Sequence, residues 1–439
     1  MTAPDAAPAA PGAPAGPATG PAATANGAAP STHAAHTWDR DATPVLRVQD
    51  LQVIYQTHNG PVPAVDHVSF SLQPGQRLGL IGESGSGKTT MATALMRLTR
   101  PPGKIVGGKV LLGDTDLLTL NDKQLREVRM RDIALVPQGA MNSLNPVMRI
   151  EDQMADAIVA HEGKQNGKAL AARIDAQLAR VGLPATVARR YPHELSGGMK
   201  QRAVMAISTA LNPRVIVADE PTSALDVVVQ RQVMQTLGRL QEGIGSAVVL
   251  IGHDMGLIAQ FADLIGVMYA GRLVEIGTVD ELLLNPRHPY TRLLIESLPR
   301  ITGKGRLVGI PGLPPALLSL PPGCAFNPRC PYAFERCFKD VPAVQDVGPG
   351  RRTACHLYPE HADLPPLPSS VVLEADAPLE AIGPAMEGLE EPGRADAQAA
   401  MAGEYIEEGG GRASAPDSAR GITDLAQSDI DELHHRGGR

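Results

Sequence analysis

The sequence has few aromatic residues and no long apolar run. Aromatic side chains make up 3% of the 439 residues, with one Trp and five Phe, so Leu, Val, Ile, Ala and Met must fill the core. No apolar run approaches the roughly 18 to 20 residues that span a bilayer, which argues against a membrane-spanning helix. No Lys or Arg precedes Arg40, so a secretory signal is not predicted. We expect a soluble cytoplasmic protein in which other chains supply any membrane spans.

The sequence also lacks a dense run of basic residues. Its formal net charge is −7 at pH 7, whereas proteins that bind nucleic acid usually carry a basic stripe. The charge therefore argues against nucleic acid as the main partner, and no nucleic-acid partner is predicted. The apolar fraction of 43% can support a sizeable core, and the length allows roughly two to three domains.

Glycine and proline are abundant, and they are concentrated outside a folded middle. Residues 1–44 are almost all Ala, Pro, Gly, Thr and Ser, which predicts a disordered tail. Residues 45–285 predict an α/β domain with a helical subdomain at about 139–200. All four cysteines fall in 286–362, which predicts a small C-terminal domain, and 363–439 predict a second disordered tail that is net acidic.

Strands alternate with helices in the folded middle. An apolar strand, a Gly-rich loop and a helix follow one another in RLGLIGESGSGKTTMATALMRL. Short buried strands are predicted further on, in RVIVADE, SAVVLIGHD and LIGVMYAGRLVEIG. The pattern between Gln138 and Gln201 predicts mainly helices. This alternation predicts an α/β fold with a parallel sheet.

The string GESGSGKT fits the phosphate-loop pattern G-x-x-x-x-G-K-[ST] and lies between a predicted strand and a predicted helix. Glycines let successive N–H groups point at phosphate oxygens, and the helix N-terminus adds partial positive charge. Lys88 is placed to reach the β- and γ-phosphates, and Thr89 to ligate Mg²⁺. The predicted ATP-binding residues of this loop are Gly82, Glu83, Ser84, Gly85, Ser86, Gly87, Lys88, Thr89 and Thr90.

Two further strings can complete this site. VIVADE ends in Asp219, which suits the surroundings of Mg²⁺, and Glu220, which can polarise the attacking water. LSGGMKQR places a Ser-Gly-Gly before a helix, which makes a second anion-binding nest. Its residues are Leu195, Ser196, Gly197 and Gly198. Because one ATP needs only one phosphate loop, we expect the second nest to serve the nucleotide of a neighbouring chain.

These strings, in this order, resemble the motifs of ABC ATPases over about residues 46–300. GESGSGKT resembles the Walker A motif, VIVADE the Walker B motif and LSGGMKQR the signature. Gln138 resembles the Q-loop glutamine, His253 the switch histidine and Tyr55 the aromatic residue that stacks on adenine. The residues that resemble the D-loop are Ser223, Ala224, Leu225 and Asp226. The implied fold is a P-loop NTPase (RecA-like) core with a helical subdomain.

The resemblance also implies a mechanism. Two such domains close head to tail around two ATP molecules, and each site joins the Walker motifs of one chain to the signature of the other. The implied catalytic residues are Glu220, His253 and Gln138, and the implied Mg²⁺ ligands are Thr89, Gln138 and Asp219. The activity expected from these roles is ATP hydrolysis coupled to solute translocation.

Three more strings resemble the ATPases of the dipeptide, oligopeptide and nickel import group. They are SLNPVMRI, YPHELSGG and NPRHPYTRLLIESLP. The resemblance implies a second, related ATPase subunit, two membrane permeases and an extracytoplasmic substrate-binding protein as partners, with the chain at the cytoplasmic face of the cell membrane. The alternatives are a soluble ABC-type ATPase acting on ribosomes or DNA, an exporter ATPase, and an importer subunit for nickel or another small solute.

All four cysteines lie in GCAFNPRCPYAFERC and in ACHLYP behind it. They are Cys324, Cys330, Cys337 and Cys355. Disulfides are rare in cytosolic proteins, whereas clustered thiolates suit an iron–sulfur cluster or Zn²⁺. The spacing matches neither a zinc ribbon nor a bacterial ferredoxin. The resemblance favours a [4Fe–4S] cluster, and Zn²⁺ or unligated structural thiols are the alternatives.

Overall fold

The computed structural model describes residues 43–139, 143–297, 309–358 and 364–366. All of them belong to the first of two compact units, Met1–Ala375, and the second unit, Asp376–Arg439, lies outside the described residues. The two predicted tails therefore lie outside the described part of the chain, except at residues 43, 44 and 364–366.

Twelve strands and nine α-helices make up the described part of the chain. The strands are β1 (Leu46–Thr57), β2 (Gly60–Leu72), β3 (Arg77–Ile81), β4 (Gly103–Leu112), β5 (Thr115–Asp116), β6 (Ile133–Val136), β7 (Val215–Asp219), β8 (Ala247–Ile251), β9 (Leu264–Tyr269), β10 (Arg272–Thr278), β11 (Gln345–Gly348) and β12 (Arg351–Thr353). The helices are α1 (Lys88–Leu95), α2 (Asp122–Val128), α3 (Ile150–Glu162), α4 (Gly167–Arg180), α5 (Gly197–Ser208), α6 (Val227–Ile244), α7 (Met255–Ala259), α8 (Val279–Leu284) and α9 (Pro289–Glu296).

The strands form two sheets. Four of them make an antiparallel sheet in the order β2-β1-β4-β5, and eight make the main sheet in the order β11-β12-β10-β9-β3-β8-β7-β6. The five strands from β9 to β6 are parallel, and the three at the other edge are antiparallel. Parallel strands are buried on both faces, which explains why VIVAD and AVVLI are unbroken apolar runs.

The main sheet separates two cores because side chains alternate along each strand. Val215 and Val217 on β7 face the core that contains α1 and the antiparallel sheet. Ile216 and Ala218 face the core that contains α3 to α7. The mixed α/β core predicted from the alternation of strands and helices is confirmed.

Helices α3 to α5 lie between β6 and β7 along the chain, where the helical subdomain was predicted. Two of them begin at residues that suit a helix N-terminus, because a side-chain oxygen accepts from a backbone N–H of the first turn. Asn166 accepts from Lys168 before α4, and Ser196 accepts from Met199 before α5. The boundaries of this subdomain stay a prediction.

The C-terminal segment extends the main sheet. Thr353 of β12 pairs with Glu275 of β10, and Arg352 pairs with Ile276. The predicted boundary at residue 285 therefore falls between two strands that pair with each other, and it too stays a prediction. In the ranges that the structure describes, no helix combines the length and the apolar character needed to cross a membrane.

Candidate ATP site and cysteine cavity

The predicted phosphate loop begins where β3 ends, at the edge of the main sheet. β8 pairs with β3 on one side and with β7 on the other, so these three parallel strands deliver their carboxyl ends to one place. Gly82 follows β3, Glu220 follows β7 and His253 lies just beyond β8. The topology therefore brings three motifs of distant sequence to one edge of the sheet.

Two glycines of the loop are required by close backbone contacts. Gly82 has φ +150°, and a Cβ there would lie 2.2 Å from the carbonyl oxygen of Met268. Gly87 has φ +98°, and a Cβ there would lie 2.1 Å from the carbonyl oxygen of Ala64. Neither backbone oxygen can move aside as a flexible side chain could, so any larger residue would deform the loop.

Lys88 folds back over the loop. Its Nζ donates to the carbonyl oxygens of Gly82 and Glu83, both at 2.8 Å, and to the hydroxyl of Ser86 at 3.3 Å. The residue is buried, and burial lowers the pKa of its amine, although the nearby carboxylates oppose that shift. These contacts fix the ammonium group inside the loop, where phosphate oxygens are expected.

Thr89 and Asp219 meet at the start of α1. The Thr89 hydroxyl donates to the Asp219 carboxylate at 3.2 Å. Burial raises the pKa of Asp219 to about 6, while the hydrogen bond from Thr89 acts in the opposite direction. A hydroxyl and a carboxylate side by side are the oxygen donors that Mg²⁺ prefers, and the cation would favour the ionised carboxylate.

The three predicted catalytic residues lie together. Gln138 Nε2 donates to Glu220 Oε2 at 2.8 Å, and His253 Nδ1 lies 3.9 Å from Glu220 Oε1. Glu220 has φ +44°, a left-handed backbone conformation that is strained in a residue other than glycine. His253 is 73% exposed, so its side chain faces solvent at the open side of this group.

The D-loop adjoins this group, because the N–H of Ser223 donates to the carbonyl oxygen of Glu220 at 3.1 Å. The signature lies at the start of α5 and Tyr55 on β1. Ser196 begins α5, and a Cβ on Gly198 would come 2.6 Å from the side chain of Val229 on α6. Asp226 begins α6 and accepts from the N–H groups of Val228 and Val229. Among the described residues, no hydrogen bond joins the signature to the phosphate loop.

Tyr55 lies on β1 of the antiparallel sheet. It is half-buried and pairs with Val62 on β2 and Gly103 on β4. A Cβ on Gly103 would come 2.8 Å from the tyrosine ring, so the ring covers the backbone of β4 at this point. Its predicted contact with adenine stays a prediction.

The phosphate loop has two partners that the sequence analysis did not single out. Arg329 forms a two-pronged ion pair with Glu83, and the hydroxyl of Tyr290 accepts from the Glu83 N–H. Tyr290 belongs to the string NPRHPYTRLLIESLP, which the sequence analysis used only for its resemblance to the import group. No signal in the sequence pairs Arg329 with a residue 246 positions away.

The four cysteines line one small cavity in the C-terminal segment. Cys324, Cys330, Cys337 and Cys355 share it with His288 and Phe326, and all four thiols are free. Burial raises the pKa of Cys330 and of Cys355 to about 12. In the described part of the chain, no group of three or more His, Cys, Asp or Glu side chains has an arrangement that could hold a metal ion.

Comparison with known proteins agrees with the motifs. Residues 65–223 match the ABC transporter family, and residues 274–337 match the oligopeptide/dipeptide transporter C-terminal region. The chain is 40% identical over 317 residues to the oligopeptide transport ATP-binding protein OppD of Salmonella typhimurium, an alignment that covers 72% of this chain and 94% of that protein. It is also 40% identical over 326 residues to the dipeptide transport ATP-binding protein DppD of Escherichia coli, with 74% and 99% covered.

A solved structure, the dimeric ATP-binding cassette MJ0796 bound to ADP and Pi, covers 53% of this chain and 98% of its own at 28% identity and a TM-score of 0.48. The match to the ABC transporter family and the identity to OppD and DppD define an ATP-hydrolysing protein of the ABC class, which confirms the ATPase prediction. The chain belongs to the oligopeptide/dipeptide family of ABC transporter ATP-binding proteins. Membership of this family favours the transporter interpretation over an ATPase of ribosomes or DNA.

Proposed function

We propose that this chain is the ATPase of an importer of dipeptides or oligopeptides. One observation carries the proposal: the ATPase part continues into a segment that matches the C-terminal region of oligopeptide/dipeptide transporters. The similarity to OppD and DppD supports the same substrate class. An importer of nickel or another small solute is the alternative within the same group.

Each residue of the ATP site has a role in this proposal. Lys88 binds the β- and γ-phosphates, and Thr89, Asp219 and Gln138 hold Mg²⁺. Glu220 accepts the proton of the attacking water, and His253 orients the γ-phosphate and that water. The hydrogen bond from Gln138 to Glu220 and the proximity of His253 support these assignments. Phosphoryl transfer then depends on positioning and charge neutralisation rather than on covalent chemistry.

A second ATPase subunit completes the nucleotide-binding site. Ser196 and the following glycines lie at the N-terminus of α5, whose N–H groups and dipole suit a phosphate. Because they make no hydrogen bond to the phosphate loop of their own chain, they are available to the ATP of a neighbour. The D-loop, Ser223 to Asp226, lies between Glu220 and α6 and would face the same neighbour.

The remaining partners follow from the importer assignment. Two permeases span the membrane, a substrate-binding protein delivers the peptide on the far side, and this chain attaches to the permeases at the cytoplasmic face. OppD and DppD are named as transport proteins, which supports such an assembly. The main test is to purify the complex from its native membrane and to identify every subunit.

We expect the purified complex to contain permeases. We also expect added peptide to stimulate its ATP hydrolysis. A Glu220→Gln chain is the matched control, since it should assemble in the same complex without hydrolysis. Recovery of ribosomes or DNA in place of integral membrane proteins would refute the assignment. Stimulation of ATP hydrolysis by nickel salts but not by peptides would favour the alternative, an importer of nickel.

We further propose that the four cysteines hold an iron–sulfur cluster. Four thiols lining one cavity form a donor set that suits [4Fe–4S] clusters. In such a cluster each thiolate binds a different iron, so the sulfurs need not converge on one atom, as a single Zn²⁺ requires. The bound group would serve to hold the C-terminal segment together.

The cluster has a direct chemical test. Full-length protein purified without oxygen should be brown and contain about four irons per chain, and Cys330→Ser should lose both colour and iron. The Tyr332→Phe variant is a suitable control because Tyr332 lines the same cavity but supplies no thiolate. Colourless protein that contains one zinc, or no metal, would reject the proposal.

A further inference from the structure

The segment that carries the cysteines holds the phosphate loop through an arginine. Arg329 Nη1 and Nη2 donate to the two carboxylate oxygens of Glu83, at 2.7 and 2.9 Å. The arginine side chain is 5% exposed and the glutamate side chain 23% exposed. Paired, parallel bonds from a guanidinium to a carboxylate fix direction as well as distance. Glu83 is therefore held in one orientation.

Arg329 is itself held from several sides. Its Nε donates to the carbonyl oxygen of Pro311 at 2.7 Å, and Nη1 also reaches the hydroxyl of Tyr269 at 3.3 Å. The guanidinium lies over the rings of Tyr269 and Phe326, each centroid 5.9 Å away. Although burial opposes it, the hydrogen bond to Glu83 raises the pKa of Arg329, so the guanidinium stays ionised. The arginine is thus a fixed support.

A second link reaches the same residue through its backbone. The N–H of Glu83 donates to the hydroxyl of Tyr290 at 2.9 Å. Tyr290 is fully buried and packs against Tyr269 and Phe326, with ring centroids 4.6 and 5.3 Å away. The hydroxyl therefore fixes the peptide plane before Glu83, at the position where the loop leaves β3.

Glu83 is also where Lys88 is anchored. Lys88 donates to the carbonyl oxygens of Gly82 and Glu83, so a rotation of either peptide plane moves the ammonium group. All three polar groups of Glu83 make hydrogen bonds. The carboxylate and the N–H bind Arg329 and Tyr290 of the C-terminal segment, and the carbonyl oxygen accepts from Lys88. The position of the phosphate-binding lysine consequently depends on residues more than 200 positions downstream.

We propose that Arg329 and Tyr290 are positioning residues for the phosphate loop. Through these two residues, the segment that carries the cysteines sets the affinity for ATP. The proposal rests on the assignment of Gly82–Thr89 as the ATP site. Neither residue touches the nucleotide in this proposal. They act by holding Glu83, and through it Lys88, in the conformation that receives phosphates.

The test compares binding of MgATP to the full chain by calorimetry in wild type, four single variants and one double variant. Arg329→Met, Glu83→Gln and Tyr290→Phe are each expected to raise the Kd, the first by about tenfold. Arg329→Lys keeps the charge but loses the paired bonds, and should fall between wild type and Arg329→Met. In the double variant Glu83→Gln/Arg329→Met, the effects should not add, because both changes break one interaction.

Steady-state ATPase measurements separate positioning from a general structural loss. KM for ATP should rise in Arg329→Met more than kcat falls, because saturating ATP restores the loop. Arg336→Met is the matched control: Arg336 precedes Cys337 as Arg329 precedes Cys330, but its side chain is 59% exposed and pairs with the exposed Asp340. Arg336→Met should bind ATP as wild type does.

Two results would overturn the proposal. One is an unchanged Kd in both Arg329→Met and Tyr290→Phe while wild type binds normally. The other is an equal rise in the Arg336→Met control, which would indicate a general effect of the segment. A wild-type chain that does not bind MgATP would instead refute the assignment of the ATP site itself.

Discussion

The carboxylate of Glu220 accepts a hydrogen bond of 2.8 Å from the side-chain amide of Gln138. The two residues are 82 positions apart in the sequence, one after β6 and the other after β7, and these strands are neighbours in the main sheet. The glutamine lies on the segment that leads into helices α3 to α5. If Glu220 is the base, as proposed, this hydrogen bond connects it to the segment that precedes the helical part of the molecule.

Glu220→Gln should remove hydrolysis and keep ATP binding. The amide can still accept from Gln138, but it cannot take a proton from water, so kcat should fall by about 10²- to 10⁴-fold. Phosphate release and ATP binding, measured on the same preparation, test this. Glu127→Gln, at an exposed position on α2, is the control and should hydrolyse normally. Near-normal turnover in Glu220→Gln would remove Glu220 from the role of base.

Lys88→Ala should weaken ATP binding itself. The variant loses a charged donor to the phosphates, so the affinity should drop by roughly 10- to 100-fold. Calorimetric titration with MgATP measures the change. Lys104→Ala removes an exposed lysine on β4 and should leave the Kd as it is. Wild-type affinity in Lys88→Ala would contradict the placement of phosphates against this side chain.

The glycines of the loop offer a matched pair. Gly87→Ala places a methyl group 2.1 Å from a backbone oxygen at φ +98°, whereas Gly85→Ala at φ +76° meets no atom within 4 Å. The second variant should cost only the backbone strain, about 1 to 3 kcal/mol. The first should abolish ATP binding or prevent folding, as circular dichroism and ATP titration will show. Equal behaviour of the two variants would mean that contact with Ala64 does not constrain the loop.

Arg351→Met should destabilise the protein. Arg351 Nη2 lies 2.8 Å from Glu275 Oε1, and the side chains are 5% and 0% exposed. Removal of the arginine leaves a buried carboxylate, so the free energy of unfolding should fall by about 3 to 5 kcal/mol. Urea unfolding followed by circular dichroism measures it. Arg336→Met, which breaks an exposed pair, should shift the midpoint far less, and identical midpoints would show that the buried pair is not needed.

The phosphate loop and its neighbours in the main sheet could be predicted from the sequence because their signals are local. VIVAD and AVVLI are apolar runs that end at polar residues, and GESGSGKT has a fixed pattern. The string LIGVMYAGRLVEIG was predicted as a buried strand but forms a hairpin of β9 and β10. The chain turns at Ala270 and Gly271, which have φ +49° and +82°. Gly271, in the middle of the string, was the available signal for that turn.

The interactions that could not be predicted join distant parts of the chain. The pairing of β10 with β12 depends on which edge of the sheet is open, and the sequence of β12 has only three residues. The contact between Arg329 and Glu83 depends on the path of the C-terminal segment across the molecule. No local pattern specifies either, because each is set by packing of elements far apart in sequence.

The pairing of β12 with β10 also matters while the protein is being synthesised and folds. A ribosome completes β3, β7, β8 and β9 long before it reaches residues 351–353, so the nascent chain carries β10 with one edge unpaired. An open edge of this kind readily pairs with other chains. Premature termination before residue 329 would yield a chain with that edge exposed and with Glu83 lacking its arginine. Incomplete chains are then expected to aggregate more readily, and to bind ATP less tightly, than the finished polypeptide.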